Sequence, residues 1–492
     1  MRRLSWLLAS AASIACVRML GACYPGTDCD FGLCPGLPAL DYSPEGGTDG
    51  QIVAPADCDL AKSPKDSPAC IDESVGIFVS PEGDDGADGT KQAPVRNITK
   101  AVELAGARGR PRIYVCEGTY DSNVQLETSV AILGGLTCAW APSEEARPKL
   151  APAKGIALRV TKVEGPVQIE GLDIVGSADA AVPGDSAIAA FVSESSNVTF
   201  RNVNLTAGPG AAGAKGASRS NYAGATASKG GNASGATGGT GASCSCVDAT
   251  TSKGGNGAAG NGADVGNGSA MPAVGTLNGG LSGPTCTVGQ PGANGAANGT
   301  GAPGTASGVL APNGWLPATR VEAAPNGNPA QGGGGGGAET SFDGAGGGGG
   351  CGGCGGAGGE PGTNGGSSFA LLSFRSAVTI DGGAAVASAG GRGGDGGDGQ
   401  TGQAGGDGGG ASACKGGPGG HGAGGSGGGG GAGGHSVPVA FVGDAPRIAG
   451  AKLTPGPKAD GGDGGKPGQG SGNPGAAGTP GPAGKAQETL AL

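Results

Sequence analysis

The sequence is poor in the side chains that build large cores. Its 492 residues include three tryptophans, five tyrosines, eight phenylalanines and three methionines. One core spanning the chain is excluded, because so few bulky groups cannot offset the backbone entropy lost on folding. Histidine occurs only twice, at His421 and His435, which leaves little for imidazole chemistry. Basic residues are outnumbered, 30 against 40 acidic, for a net charge of −10. No basic stripe for nucleic acid and no polybasic membrane patch is present. The one sustained apolar run, Leu4 to Ala15, is too short to span a bilayer.

Glycine takes the place of what is missing. The chain holds 116 glycines, of which 21 lie in residues 1–206 and 95 in 207–492. The ordinary share is about 7%. This composition predicts one ordered domain of modest size carrying long glycine-rich segments.

Arg2 and Arg3 followed by the Leu4–Ala15 run read as a secretory signal peptide over 1–22. Leu20-Gly21-Ala22-Cys23 resembles a bacterial lipobox, whose cysteine carries lipid; ordinary cleavage near Ala22 is the alternative. Tyr24 is not the aspartate that retains members of the lipoprotein family at an inner membrane, so the expected address is an outer membrane or the cell surface. Cys16 leaves with the signal peptide. The twelve cysteines beyond Cys23 are Cys29, Cys34, Cys58, Cys70, Cys116, Cys138, Cys244, Cys246, Cys286, Cys351, Cys354 and Cys414. An even set in an exported chain reads as disulfides. Local spacing pairs Cys29–Cys34, Cys58–Cys70 and Cys116–Cys138, and leaves the others unassigned. Cys351-Gly-Gly-Cys354 with Cys244-Ser-Cys246 has the spacing of a zinc knuckle or a redox motif. Export denies zinc its reduced thiolates, and polyglycine denies a redox motif its strand–turn–helix, so disulfides are expected there too.

Residues 23–56 are Pro/Gly/Asp-rich and read as a tether. A cap and β-helix turns are expected over 57–206. Asn97 to Ala107 has the apolar spacing of a short helix capped by Asn97. Short strands are expected at Gly76–Ser80, Arg112–Cys116, Asn123–Leu126, Val130–Leu133, Ile156–Val160, Val167–Ile169, Leu172–Val175, Ile188–Val192, Val198–Phe200 and Val203–Leu205. A strand–strand–strand unit then recurs. Ala190–Val192, Asn197–Phe200 and Asn204–Gly208 correspond to Phe369–Leu372, Ala377–Ile380 and Ala387–Gly390, and again to Ala440–Val442, Arg447–Ile448 and Lys452–Gly456. Each copy leads into a glycine run. Such self-similarity marks a solenoid, and short strands without helices point to an all-β fold, a short right-handed parallel β-helix. Further turns are expected at 367–389 and 435–455. The glycine-rich stretches 207–366 and 390–434 are insertions, and 456–492 is a collagen-like tail.

Within these stretches glycine falls at every third position, as at Gly390, Gly393, Gly396, Gly399, Gly402, Gly405 and Gly408, and from Gly472 to Gly484. Three residues per turn is the period of polyproline II. Packed polyglycine II-like helices and solvated disorder both remain open.

Phe78-Val79-Ser80-Pro81 through Gly89, then Ile113 to Tyr120, then Ile132-Leu133-Gly134-Gly135 with Cys138 and Trp140, resembles the N-terminal portion of pectin-lyase-like β-helix proteins of unknown function, common as secreted proteins and lipoproteins in myxobacteria. The resemblance covers roughly residues 75–206. The glycine tracts are similar in composition to PGRS-type surface proteins. Neither resemblance implies an agreed activity.

The wider β-helix superfamily includes polysaccharide lyases and hydrolases. Gly420-His421-Gly422 resembles a polygalacturonase motif, as does Arg447-Ile448, but the acidic motifs that should precede them do not occur. Asp84-Asp85, the one Asp-Asp pair, lies in the first turn, and inverting hydrolysis needs a positioned carboxylate pair. For a lyase the candidates are Glu170, Asp173 and Arg201, and acids and bases clustered outward on one face would support that reading. Gly393 to Gln400 nearly matches a calcium-binding repeat, with Asp395, Asp398 and Asp407 as acids, yet Gln400 stands at the aliphatic position. The sequence therefore favours a non-enzymatic cell-surface structural or adhesive protein: a β-helix stalk bearing a glycine-rich brush, without catalytic residues, metal or cofactor. Its expected partners are an outer-membrane lipid anchor and extracellular polysaccharide or matrix. A carbohydrate-active enzyme on acidic polysaccharide is the alternative.

Overall fold

The computed structural model describes residues 53–492 except 248–249, 261–265, 272–286, 306–307, 319–321, 339–343 and 412–413. The signal peptide, Cys23, the Cys29–Cys34 pair, most of the tether and Cys286 lie outside the described residues.

The described chain is a parallel β-helix. β1 (Gly76–Val79) is followed by α1 (Ile98–Arg108), which covers the first end. The next rung is β2 (Arg112–Cys116), β3 (Gly118–Tyr120) and β4 (Val124–Leu126). The second is β5 (Ala131–Leu136), β6 (Pro148–Leu150) and β7 (Leu158–Thr161), and the third β8 (Val167–Glu170), β9 (Asp173–Gly176) and β10 (Ala187–Ser193). β11 (Val198–Ala207) then runs through two faces before the first glycine-rich excursion. That excursion carries an antiparallel sheet, β12 (Ser243–Ser245), β13 (Thr251–Lys253) and β14 (Ser269–Met271), and a hairpin, β15 (Val309–Ala311) and β16 (Gly314–Leu316). The chain returns as β17 (Ser368–Phe374), continues as β18 (Val378–Ala387), and returns from its second excursion as β19 (Ser436–Val442). β20 (Arg447–Ala449), β21 (Lys452–Thr454) and, after the third excursion, β22 (Thr489–Ala491) complete the last rung. The segment expected as a collagen-like tail thus ends by rejoining the β-helix.

Parallel pairing stacks like on like. In register along the first face stand Ile77, Ile113, Ile132, Ile169, Phe200, Ile380 and Ile448. Tyr120, Leu150, Ile174, Leu205, Ala385 and Leu453 form the second column. The third face stacks β4, β7, β10, β17, β19 and β22. Each large aliphatic group in these columns contributes about 1.5–3 kcal/mol by leaving water.

Apolar side chains pack on both sides of the β-helix wall. Phe200 is inside, but Phe191, Phe369 and Phe374 project from the third face and pack with Leu310 and Trp315 of the β15–β16 hairpin. On the first face, Phe78, Tyr114 and Leu133 are covered by the segment around Ile71. Buried Arg112 fastens that segment by donating to the carbonyls of Leu60 and Lys62, at 2.8 and 2.7 Å. Asn97 occupies the N-cap of α1 without a side-chain capping bond; instead Asp85 accepts from the N–H groups of Arg96 and Asn97, at 3.0 and 2.8 Å.

All three excursions leave after the second face, at Ala207, Ala387 and Thr454, and return to the third. They are packed, not a solvated brush. Gly393, Gly396, Gly399 and Gly402 donate to the carbonyls of Asp460, Asp463, Lys466 and Gln469, at 2.8–3.0 Å. Gly394 and Gly397 donate to Thr363 and Glu360 of another segment, and Gly213 and Gly216 reach Arg392 and Asp395. Both partners advance three residues at a time, as adjacent three-fold extended helices do. Segment 416–434 bonds to six neighbours: 345–366, 389–410, 289–304, 324–337, 456–469 and 472–484. The bundle is seated by serine and histidine. Ser367 N–H donates to the Ser186 hydroxyl, His435 N–H to the Ser367 hydroxyl, and Lys485 N–H to His435 Nδ1.

Candidate functional site

Among the described residues four disulfides join Cys58–Cys70, Cys116–Cys138, Cys244–Cys351 and Cys246–Cys354. The last two tie β12 and its flank to a glycine helix at the centre of the bundle, so the CxxC spacing serves crosslinking. Cys414 is buried. Among the described residues no group of three or more His, Cys, Asp or Glu could hold a metal ion.

A cluster of charged side chains that includes the lyase candidates lies at the corner between the first and second faces. The chain turns there through residues in the left-handed region, Gly135, Gly171, Asn202, Gly382 and Gly450. Glycine adopts this conformation freely and asparagine tolerates it. The register places Arg201 between Glu170 and Asp381, and Asn204 beside Asp173. Arg201 lies 3.7 Å from each of Glu170 and Asp381. Arg147, from the loop before β6, reaches Asp173 at 2.8 Å and donates to the carbonyls of Leu172 and Asn202 at 3.0 and 2.9 Å. Asn204 Nδ2 donates to the same Asp173 oxygen at 2.8 Å, and Gln168 Nε2 to Glu170 at 2.6 Å. Burial pushes the Glu170 carboxyl above its usual range, although Gln168 and Arg201 oppose the shift.

The structure therefore brings together the three lyase candidates. It adds Arg147, Asn202, Asn204 and Asp381. Sequence reading missed Arg147 because it lies outside any strand, and Asp381 because 180 residues of numbering separate stacked neighbours such as Arg201 and Asp381. The signal was the repeat itself, which aligns Phe200-Arg201 with Ile380-Asp381. Chemically the corner is engaged with itself. Arg147 spends Nε and one terminal nitrogen on internal acceptors, and Arg201 sits between two carboxylates. The adjoining cavity, bordered by Lys65, Glu144, Arg147, Glu170 and Asn202, is only about 100 Å³, well below a typical ligand pocket.

The remaining candidates are structural in their contacts. His421 Nδ1 accepts from Gly405 N–H at 3.2 Å, and His421 N–H donates to Asn294. Asp395 accepts from Asp463 N–H and pairs with Arg392; Asp398 accepts from Lys466 N–H. Those acids complete backbone bonding at the bundle edge. Arg447 begins β20, beside Thr379.

A family model described as "Protein of unknown function (DUF1565)" matches residues 81–133, the stretch from the first acidic turn through α1 to β5. No curated protein matches the chain. Similar solved structures include a rhamnogalacturonan lyase, 18% identical, covering 28% of this chain and 38% of that one with a TM-score of 0.21. Another is an alginate lyase from Paenibacillus sp. str. FPU-7, 15% identical, covering 22% and 34% with a TM-score of 0.17. The chain thus spans little more than a third of either, and its parallel β-helix is read from its own strand pairing.

Proposed function

We propose that this is a non-enzymatic, exported structural protein of the cell surface, in which a β-helix frames and orients a compact glycine-helix bundle. The observation that carries the reading is the convergence of three excursions, far apart in sequence, on one hydrogen-bonded bundle seated at one corner of the β-helix. That construction devotes nearly half of the chain to one body without a core of large side chains. Four disulfides suit an oxidising compartment, and anchoring through lipid on Cys23 fits a surface role with extracellular matrix or polysaccharide as the contact. The internally paired corner at Arg201 supports assigning its charges to holding rungs together.

A polysaccharide lyase is the second reading, favoured by the proximity of Glu170, Asp173 and Asp381 to Arg147 and Arg201. One experiment separates the two. The oxidised protein is incubated with pectate, rhamnogalacturonan, alginate and hyaluronan, and unsaturated products and new reducing ends are followed. The structural reading predicts no release above buffer. Release that Arg201→Ala abolishes without unfolding the protein establishes the lyase.

A further inference from the structure

The glycine helix at 345–366 is enclosed along most of its length. Between Gly346 and Gly359 only Gly355 and Ala357 are partly exposed. Both form the floor of a cavity of about 470 Å³, walled by Arg219, Ser220, Tyr222, Asn326 and Gln400, with Val247 at its rim.

The bonding pattern explains the opening. On one side of this helix Gly346, Gly349 and Gly352, three residues apart, donate to Ala258 O, Gly255 O and the Ser252 hydroxyl. One turn beyond Gly355, Gly358 donates to Asn326 Oδ1 at 2.9 Å. On the adjoining side Cys351 and Glu360 donate to the backbone at Ser228 and Ala217. At the two intervening positions, Cys354 and Ala357 donate instead to Oε1 of Gln403 and Gln400, at 3.2 and 2.8 Å. Those glutamines pass the contact on through Nε2, to Gly224 O at 3.1 Å and Ser220 O at 2.6 Å. The chain around 220–224 therefore stands one glutamine side chain farther out. Among the described residues, the lattice position that residues 238–258 fill beside Gly346 to Gly352 has no counterpart beside Gly355.

A three-fold extended strand has the cross-section of the helices around this opening and repeats at their spacing, about 9 Å per turn. The walls suit one. Tyr222, whose hydroxyl donates to Gly355 O, offers an aromatic ring, and Val247 is 96% exposed. Gln400 and Asn326 supply amides. Grooves that combine aromatic and amide groups take up preformed polyproline II strands at low entropic cost. We propose that this groove binds an extended glycine- and proline-rich peptide strand of another polypeptide, which takes the place of the missing lattice helix. The proposal does not depend on the structural role argued above.

The test is calorimetric titration of the oxidised full-length protein with a synthetic peptide of the chain's own 472–484 sequence, and with a scrambled version lacking the triplet period. Saturable binding of the periodic peptide alone is expected, weakened about tenfold or more by Val247→Asp and by Tyr222→Ala. Val247 is too exposed for its replacement to disturb folding. Hydroxyl-radical footprinting of the unaltered protein supplies a second readout: the peptide should protect Tyr222 and leave Trp140 unchanged. Absence of saturation, equal binding by both variants, or protection of Tyr222 by oligogalacturonate and not by the peptide overturns the proposal.

Discussion

At each glycine of the bundle, the number of neighbours sets which side chains are allowed. Between Gly346 and Gly359, segment 345–366 is enclosed by neighbours except beside Gly355 and Ala357, and only Cys351, Cys354 and Ala357 are not glycine there. In 389–410 two positions of each triplet face other helices, and the third carries Arg392, Asp395, Asp398, Thr401, Ala404 and Asp407. The peripheral 472–484 needs glycine only once per turn. A Cβ on Gly396 would lie 1.9 Å from Gly428 O, so Gly396→Ala should cost about 1–3 kcal/mol in denaturant unfolding. Gly106, in α1, has nothing within 4 Å of an added Cβ, and Gly106→Ala should gain about 0.5–1 kcal/mol. Asp85 provides a second residue-scale test. Burial, the largest single influence, opposes its charge, but the donors on Asn97 and Arg96 outweigh it and hold the carboxyl below its usual range. A lowered folded-state pKa stabilises above the ordinary carboxylate range and ceases to do so as pH falls through the lowered value. Asp85→Asn should therefore lose about 1 kcal/mol at neutral pH, and its melting temperature should converge with that of the unaltered protein in acid.

Among the elements, those with strong periodicity were legible and those that depend on stacking were not. α1 followed from Ile98, Ala101 and Ala105 on one buried face. β3 and β6 are absent from the strands expected from the sequence; they begin at Gly118 and Pro148, residue types disfavoured in strands, and parallel pairing with each other holds them extended. Val198–Phe200 and Val203–Leu205 read as two strands, yet they are one, β11, bent at left-handed Asn202. Spacing revealed the disulfides that close 12- and 22-residue separations. It could not reveal Cys244–Cys351 and Cys246–Cys354, with separations of 107 and 108, because only the bundle brings those residues together. The candidate corner was legible as far as Glu170, Asp173 and Arg201 themselves. Their partners Arg147 and Asp381 required the rung register. The two long bridges close nearly the same loop, so loss of either alone should change stability little. Loss of both, as Cys244→Ser with Cys246→Ser, should remove up to about 4–5 kcal/mol by the chain-entropy estimate, read as a lower denaturant midpoint for the bundle.

The whole molecule replaces much of a conventional side-chain core with a backbone hydrogen-bond lattice. The β-helix supplies stacked aliphatic columns and one corner from which the glycine excursions spring; the excursions supply their own order by filling each other's donors and acceptors. The most direct test of this account is amide hydrogen exchange by mass spectrometry on the native, oxidised protein. Fragments covering 346–359, 390–410 and 416–434 should exchange orders of magnitude more slowly than an unstructured chain and approach the protection of β11 and β17. Exchange of those fragments at the unstructured rate, with β11 and β17 still protected, would contradict the account and return the glycine tracts to a solvated brush.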